Sequence, residues 1–178
     1  DPIVLDTYGI GAMREFGNYL YFGTDNPPAV AAANWFRHYG EPRDPAKKQQ
    51  VFDDTFRSTT IFRISGEQQG TPNIELLYGE SQLWVYTPPN SGIGPNGTWA
   101  LTPNMLPVNK NPEYGSSGLG YPYNAYTWSM TVFNGHLYLG TFDWSYVYLT
   151  PPIVTLNGIP SATVTIPPPD PNCGADLF

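Results

Sequence analysis

Two acidic residues stand just beyond the only two places where a Leu-Tyr-x-Gly-Thr motif occurs in this chain. Asp25 is one residue after the first Gly-Thr pair and Asp143 is two residues after the second. A pair of carboxylates near one opening could act in glycoside hydrolysis or bind a cation. The alternative is that each carboxylate caps its own loop by accepting backbone hydrogen bonds.

Aromatic side chains crowd around the second motif and offer a different chemistry. Trp128, Trp144 and Tyr146 are the candidates for ligand binding, together with the two carboxylates. Exposed aromatic rings stack on sugar rings or anchor a protein partner. The alternative is that these rings are buried in the hydrophobic core.

Metal and catalytic motifs are sparse. Asp170, Asn172 and Asp176 place oxygen ligands at alternate positions, as calcium loops do, but the later bidentate Glu is missing and an Asx turn is the alternative. Calcium is the one cofactor considered, and otherwise none is expected. The two histidines, His38 and His136, belong to no metalloprotease or serine-hydrolase motif.

Composition narrows the class of protein. The net charge of −7, with 8 Lys and Arg against 15 Asp and Glu, argues against nucleic-acid binding. No stretch approaches the roughly 18 apolar residues of a membrane helix. The single cysteine excludes an internal disulfide. The low fraction of charged residues, 13%, and the abundance of Tyr, Trp, Asn, Gly and Pro favour an extracellular, periplasmic or cell-surface location.

Two hairpins, 12–24 and 129–141, carry the same residues in the same order. Asn134-Gly135 predicts a tight turn in the second hairpin, and Gly17-Asn18 inverts that dipeptide in the first. Six identities are each separated by 117 positions: Met13/Met130, Phe16/Phe133, Leu20/Leu137, Tyr21/Tyr138, Gly23/Gly140 and Thr24/Thr141. We therefore predict one β-repeat region over 1–178.

The rest of the chain predicts short strands joined by long loops, with one helix. Pro28–Tyr39 is the helix candidate, since Pro stands near its start and Gly40 just after its end. Residues 43–50 are polar and are expected in an exposed loop. Further strands are predicted at 59–64, 74–78, 82–86, 98–101, 146–149 and 162–166. The Pro/Gly-rich segment 103–123 is expected to be functional or to dock on a neighbour.

The two Met-x-x-Phe-x-x-x-Leu-Tyr-x-Gly-Thr hairpins, with Ile61-Phe62-Arg63 and Leu83-Trp84-Val85-Tyr86, resemble blades of a β-propeller in the broad Kelch-like superfamilies. The resemblance implies an all-β fold of short antiparallel strands. The Gly-Gly and Trp-Asp signatures of named propeller types are absent. A spacing of 117 residues exceeds an ordinary blade of about 40–50 residues. It accommodates two blades, or one blade with insertions at 25–58 and 102–125.

Leu177-Phe178 follows Gly140 at about the distance at which Ile61-Phe62 follows Gly23. We therefore expect an incomplete part of a larger propeller, with a further possibility that another subunit completes the last module. The leading functional hypothesis is a non-enzymatic interaction or structural module that binds a protein or glycan. The alternative is a fragment of a carbohydrate-active propeller hydrolase with Asp25, Asp143 or Glu80 among its acids.

Overall fold

A computed structural model describes residues 7–66, 70, 72–90, 92–106 and 110–145. These residues form mostly antiparallel β-sheet, as expected for an all-β class, with two helices inserted between the second and third strands. The strands are β1 Gly9–Phe16, β2 Tyr19–Asp25, β3 Ile61–Ser65, β4 Asn73–Tyr78, β5 Gln82–Thr87, β6 Thr98–Pro103, β7 Asn124–Phe133 and β8 His136–Asp143, and the helices are α1 Pro28–Tyr39 and α2 Pro45–Thr55.

Six of the strands form one open sheet. Strands β1 to β4 pair in chain order as an antiparallel meander. The β7–β8 hairpin joins this meander where Asp25 of β2 pairs with Tyr126 of β7. Strands β5 and β6 form a separate two-stranded sheet. The predicted strands at 59–64, 74–78, 82–86 and 98–101 are therefore all present, with ends shifted by up to two residues. Those at 146–149 and 162–166 lie outside the described residues.

The two hairpins predicted from the sequence share one register. All seven residue pairs of β1–β2 recur in β7–β8 at a spacing of 117: Met13 pairs with Phe22, and Met130 with Leu139. The β-bulge also recurs at the same position, with Gly11 as the extra residue in β1 and Trp128 in β7. Asn134 and Gly135 both have positive φ, 48° and 74°, as the hairpin turn requires.

The second hairpin crosses the face of the first at two glycines. A Cβ at Gly23 would lie 2.5 Å from Thr127 Cβ and 2.7 Å from its Cγ2, and a Cβ at Gly11 would lie 3.1 Å from the Thr127 carbonyl carbon. The buried Thr127 hydroxyl lies 2.6 Å from the hydroxyl of Thr59, which donates to the carbonyl of Thr24 at 2.7 Å. Only glycine permits this approach of one backbone to another.

Buried apolar side chains form two separate clusters. Ile61, Leu77 and Leu139 are buried together, with Tyr21 and Met130 packed against them. A second core lies between α1 and the β5–β6 sheet, where Trp35 is fully buried and its ring centroid is 4.8 Å from that of Tyr86.

The predicted helix is found at its expected bounds, whereas the region predicted as an exposed loop contains α2. Asp44 caps α2 by accepting a hydrogen bond from the backbone N–H of Ala46 at 2.9 Å, and Pro45 occupies the first turn. Val51 is the one buried large apolar side chain of α2. The helix was not predicted because residues 43–50 are polar and the buried residues of α2 lie only in its second half.

The described part of the Pro/Gly-rich segment 103–123 hydrogen-bonds to the chain's own sheet. The backbone N–H of Tyr114 donates to Leu77 of β4, and that of Gly79 donates to Gly115. Further along, Gly118 donates to Thr59 at 2.7 Å. The segment therefore covers the outer edge of β4 and hydrogen-bonds to the chain just before β3.

The close approach of Thr127 to Gly23 predicts that a methyl group at Gly23 strongly destabilises the fold. We expect Gly23→Ala to lower the free energy of unfolding by about 2 to 3 kcal/mol, because Thr127 cannot move without breaking its hydrogen bond to Thr59. Urea denaturation measures this change. Gly9→Ala is the matched control: its Cβ would meet only Asp25, at 3.6 Å, so a change within about 0.5 kcal/mol is expected. Equal losses in both variants would contradict the crossing.

Candidate functional site

A strip of four aromatic rings runs along the outer face of the β7–β8 hairpin. The ring centroids of Tyr126 and Trp128 are 5.4 Å apart, those of Trp128 and Phe142 6.1 Å, and those of Phe142 and Trp144 5.7 Å. Trp128 is 66% exposed and Phe142 38% exposed. We call these four residues the aromatic strip.

The β-bulge of β7 explains why a tryptophan on this strand faces solvent. Thr127 is fully buried against the first hairpin, and Trp128, the extra residue of the bulge, turns outward beside it. A bulge redirects a side chain in this way without ending the strand. Phe142 lies opposite Tyr126 in the register, which brings its ring to the same face.

Asp25 lies at the polar end of the strip. It pairs with Tyr126 across β2 and β7, and the Tyr126 hydroxyl donates a hydrogen bond to its carboxylate. The Oδ1 oxygen of Asp25 is buried without a hydrogen-bond partner among the described residues. Burial raises the pKa of Asp25 above its ordinary value, and the bond from Tyr126 offsets part of that shift. The negative charge of Asp25 in turn raises the pKa of Tyr126.

Asp143 has a different environment. It is 4% exposed, and its carboxylate accepts hydrogen bonds from the backbone N–H of Ser145 at 2.7 Å and from the Ser145 hydroxyl at 2.8 Å. This is the loop-capping arrangement that the sequence left open as the alternative.

The structure does not bring Asp25 and Asp143 to a shared cleft. Asp25 corresponds in register to Phe142, and Asp143 is the next residue along β8. Because side chains alternate between the two faces of a strand, this single step places Asp143 on the side opposite Phe142. Glu80 accepts hydrogen bonds from the backbone N–H and the hydroxyl of Ser117.

Of the predicted site residues, Trp128 and Trp144 are joined in the strip, and Asp25 adjoins it. Phe142 was not singled out from the sequence, although the 117-residue spacing already related it to Asp25. Tyr146, Asp170, Asn172 and Asp176 lie outside the described residues, so the calcium site stays a prediction. Within the described ranges, no three His, Cys, Asp or Glu side chains cluster to hold a metal ion.

Comparisons with protein-family models, curated proteins and solved structures found no match to this chain. Neither helix in the described part of the chain has the length and apolar character needed to cross a bilayer.

The Asp25 carboxylate predicts a specific pH dependence of stability. Because its pKa is raised in the folded state, the folded protein holds this proton to higher pH than the unfolded chain, and ionisation above about pH 4 costs stability. Asp25→Asn removes that cost and keeps an acceptor for Tyr126. We therefore expect the Tm of Asp25→Asn minus that of the native chain to grow as the pH rises from about 3 to 7.

Scanning calorimetry across this pH range measures the difference. The exposed Glu15 is the control. Glu15→Gln changes the net charge equally, so the growth of the Tm difference for Asp25→Asn is measured against that for Glu15→Gln. A flat profile for Asp25→Asn would contradict the assigned burial of the carboxylate.

Proposed function

We propose that this chain is a non-enzymatic, extracytoplasmic binding module of the β-propeller type, and that the aromatic strip is its glycan-binding surface. A ligand of this kind lies along Trp128, its pyranose C–H groups facing the ring and its hydroxyl groups facing solvent and Asp25.

The strand arrangement supports the propeller part of the proposal. Four consecutive antiparallel strands, β1 to β4, have the order of a propeller blade. The β7–β8 hairpin has the register of β1–β2 and packs across its face, as the first strands of a following blade would. The helices α1 and α2 and the β5–β6 sheet then occupy insertions in the connections between strands.

The observation that carries the binding proposal is the exchange of Gly11 for Trp128. In the first hairpin, the bulge residue is glycine because the backbone of β7 crosses directly above it. In the second hairpin, the equivalent residue is an exposed tryptophan. An indole fills the space that a crossing strand would need, so this face departs from hairpin stacking and presents rings to solvent instead.

The chemistry of the strip fits an uncharged or amino-bearing sugar. Neighbouring rings are inclined at 43° and 36° along the first three residues, which gives a twisted platform several rings long. Such a surface matches a helically twisted oligosaccharide better than a flat one. The net charge of −7 and the Asp25 carboxylate disfavour sulfated or uronic acid chains.

The proposal is tested by titrating the chain with cellohexaose, chitohexaose, mannohexaose and xylohexaose by isothermal calorimetry, with a heparin hexasaccharide as the anionic comparison. We expect saturable binding of at least one uncharged or amino-bearing hexasaccharide. Trp128→Ala is expected to weaken that binding at least tenfold, which corresponds to about 1.4 kcal/mol, because the central ring of the platform is lost.

Phe133→Ala is the matched control, since Phe133 is 70% exposed but lies beside the hairpin turn. Its affinity is expected to stay within twofold of the native value. Absence of binding to all four oligosaccharides, or equal effects of the two variants, would contradict the proposal. Chromatography of the incubated sugars completes the test, because shorter products would support the hydrolase alternative.

A further inference from the structure

One row of directly opposed residues crosses the sheet at the end of the aromatic strip. Each member pairs with the next across four strands: Gly9 of β1, Asp25 of β2, Tyr126 of β7 and Phe142 of β8. Directly opposed residues of antiparallel strands present their side chains on the same face of a sheet. The Asp25 carboxylate therefore lies between an aromatic ring on one side and a residue without a side chain on the other.

Gly9 leaves space beside this carboxylate. A Cβ at Gly9 would lie 3.6 Å from Asp25 Oδ2, and apart from its chain neighbours it would meet only Asp25 among the described residues. Gly9 itself is exposed. Because a charge-assisted N–H···O bond spans about 2.7–2.9 Å, an amine of a ligand fits above Gly9 in contact with Oδ2.

No basic side chain of this chain is available to neutralise Asp25. All Lys, Arg and His side chains belong to the described residues, since the segments 1–6, 67–69, 71, 91, 107–109 and 146–178 contain none. Among the described residues, ion pairs are made by Lys48 and Arg63 with glutamates, and none of them involves Asp25. A cation for this carboxylate therefore has to come from outside the chain.

The surroundings of Asp25 favour such a cation. Burial raises the pKa of Asp25, which means that its negative charge is disfavoured in the folded protein, and a neighbouring positive charge offsets this effect. The faces of Tyr and Trp rings attract ammonium groups as well. A sugar next to one stacked on Trp128 lies over Tyr126, whose ring centroid is 5.4 Å from that of Trp128 and whose hydroxyl bonds to Asp25.

We propose that the glycan-binding surface selects a cationic amino sugar and that Asp25 determines this selectivity. The inference rests on the glycan-binding function proposed above. The protonated amine of a glucosamine unit donates to Asp25 Oδ2 from the space above Gly9, while the pyranose rings stack along the aromatic strip. A sugar of the same linkage with an acetamido or hydroxyl group in place of the amine lacks the charge that Asp25 requires.

Three β-linked hexasaccharides that differ in one substituent per ring test the selectivity. The glucosamine hexamer carries ammonium groups, chitohexaose acetamido groups and cellohexaose hydroxyl groups. Isothermal calorimetry at about pH 6, where an ordinary amine is protonated and an ordinary carboxyl is ionised, measures the three affinities. We expect the glucosamine hexamer to bind the native chain about tenfold more tightly than either of the other two.

Two variants and a matched control assign this preference to Asp25. Asp25→Asn keeps an acceptor for Tyr126 but removes the charge, so the preference is expected to fall to within about twofold. Gly9→Val fills the space for the amine and is expected to reduce the preference in the same way. Glu15→Gln makes the same change in net charge at an exposed position of β1 and is expected to keep the full preference.

Each possible outcome separates this inference from the proposed function. Equal affinities of the three hexasaccharides, all weakened by Trp128→Ala, would overturn the amine selectivity and leave the glycan surface in place, whereas binding of none would overturn both. A preference that survives Asp25→Asn or Gly9→Val, or that falls equally in Glu15→Gln, would overturn the assigned position of the amine. Hexalysine carries amines without sugar rings, and its binding as tightly as the glucosamine hexamer would overturn the amino sugar as the ligand.

Discussion

The rest of the structure depends on the contact between Thr127 and the glycines beneath it. Gly11 and Gly23 allow β7 to lie directly on the first hairpin, and the buried hydroxyls of Thr127 and Thr59 bond to each other in a space without water access. A buried hydroxyl without a partner would cost about 1 to 3 kcal/mol. Sliding one hairpin along the other would break this bond, so the bond fixes where β7 crosses the first hairpin as well as how closely it approaches. The Asp25–Tyr126 pairing follows from that position.

One hairpin design thus serves two roles in the same molecule. In the first hairpin, the glycine face is covered by β7 and the edge of β2 is covered by β3. In the second, the corresponding face carries Trp128 and Phe142, and the corresponding edge is open in the described residues. The two hairpins therefore share one register, and their different surroundings leave the surface proposed for sugars exposed on the second hairpin only.

Local signals allowed much of the fold to be predicted from the sequence. The Asn134-Gly135 turn and the alternation around it define the second hairpin, and Pro28 and Gly40 bound α1. By contrast, α2 depends on the Asp44 cap and on the single buried Val51, which a polar run conceals. The aromatic residues of the site were visible, but the bulge that exposes Trp128 and the one-residue offset that separates Asp143 from Asp25 are properties of pairing. They arise only when two strands are aligned.

The Asp25–Tyr126 joint also has a consequence for the order of folding. A hairpin such as β7–β8 forms from neighbouring residues on a timescale of about 1–10 μs. The joint instead closes a loop of about one hundred residues, and contacts of such long range form slowly. The aromatic rings of the β7–β8 hairpin therefore come together early in folding. The Asp25 carboxylate reaches its place beside them only later, when the two ends of that loop meet.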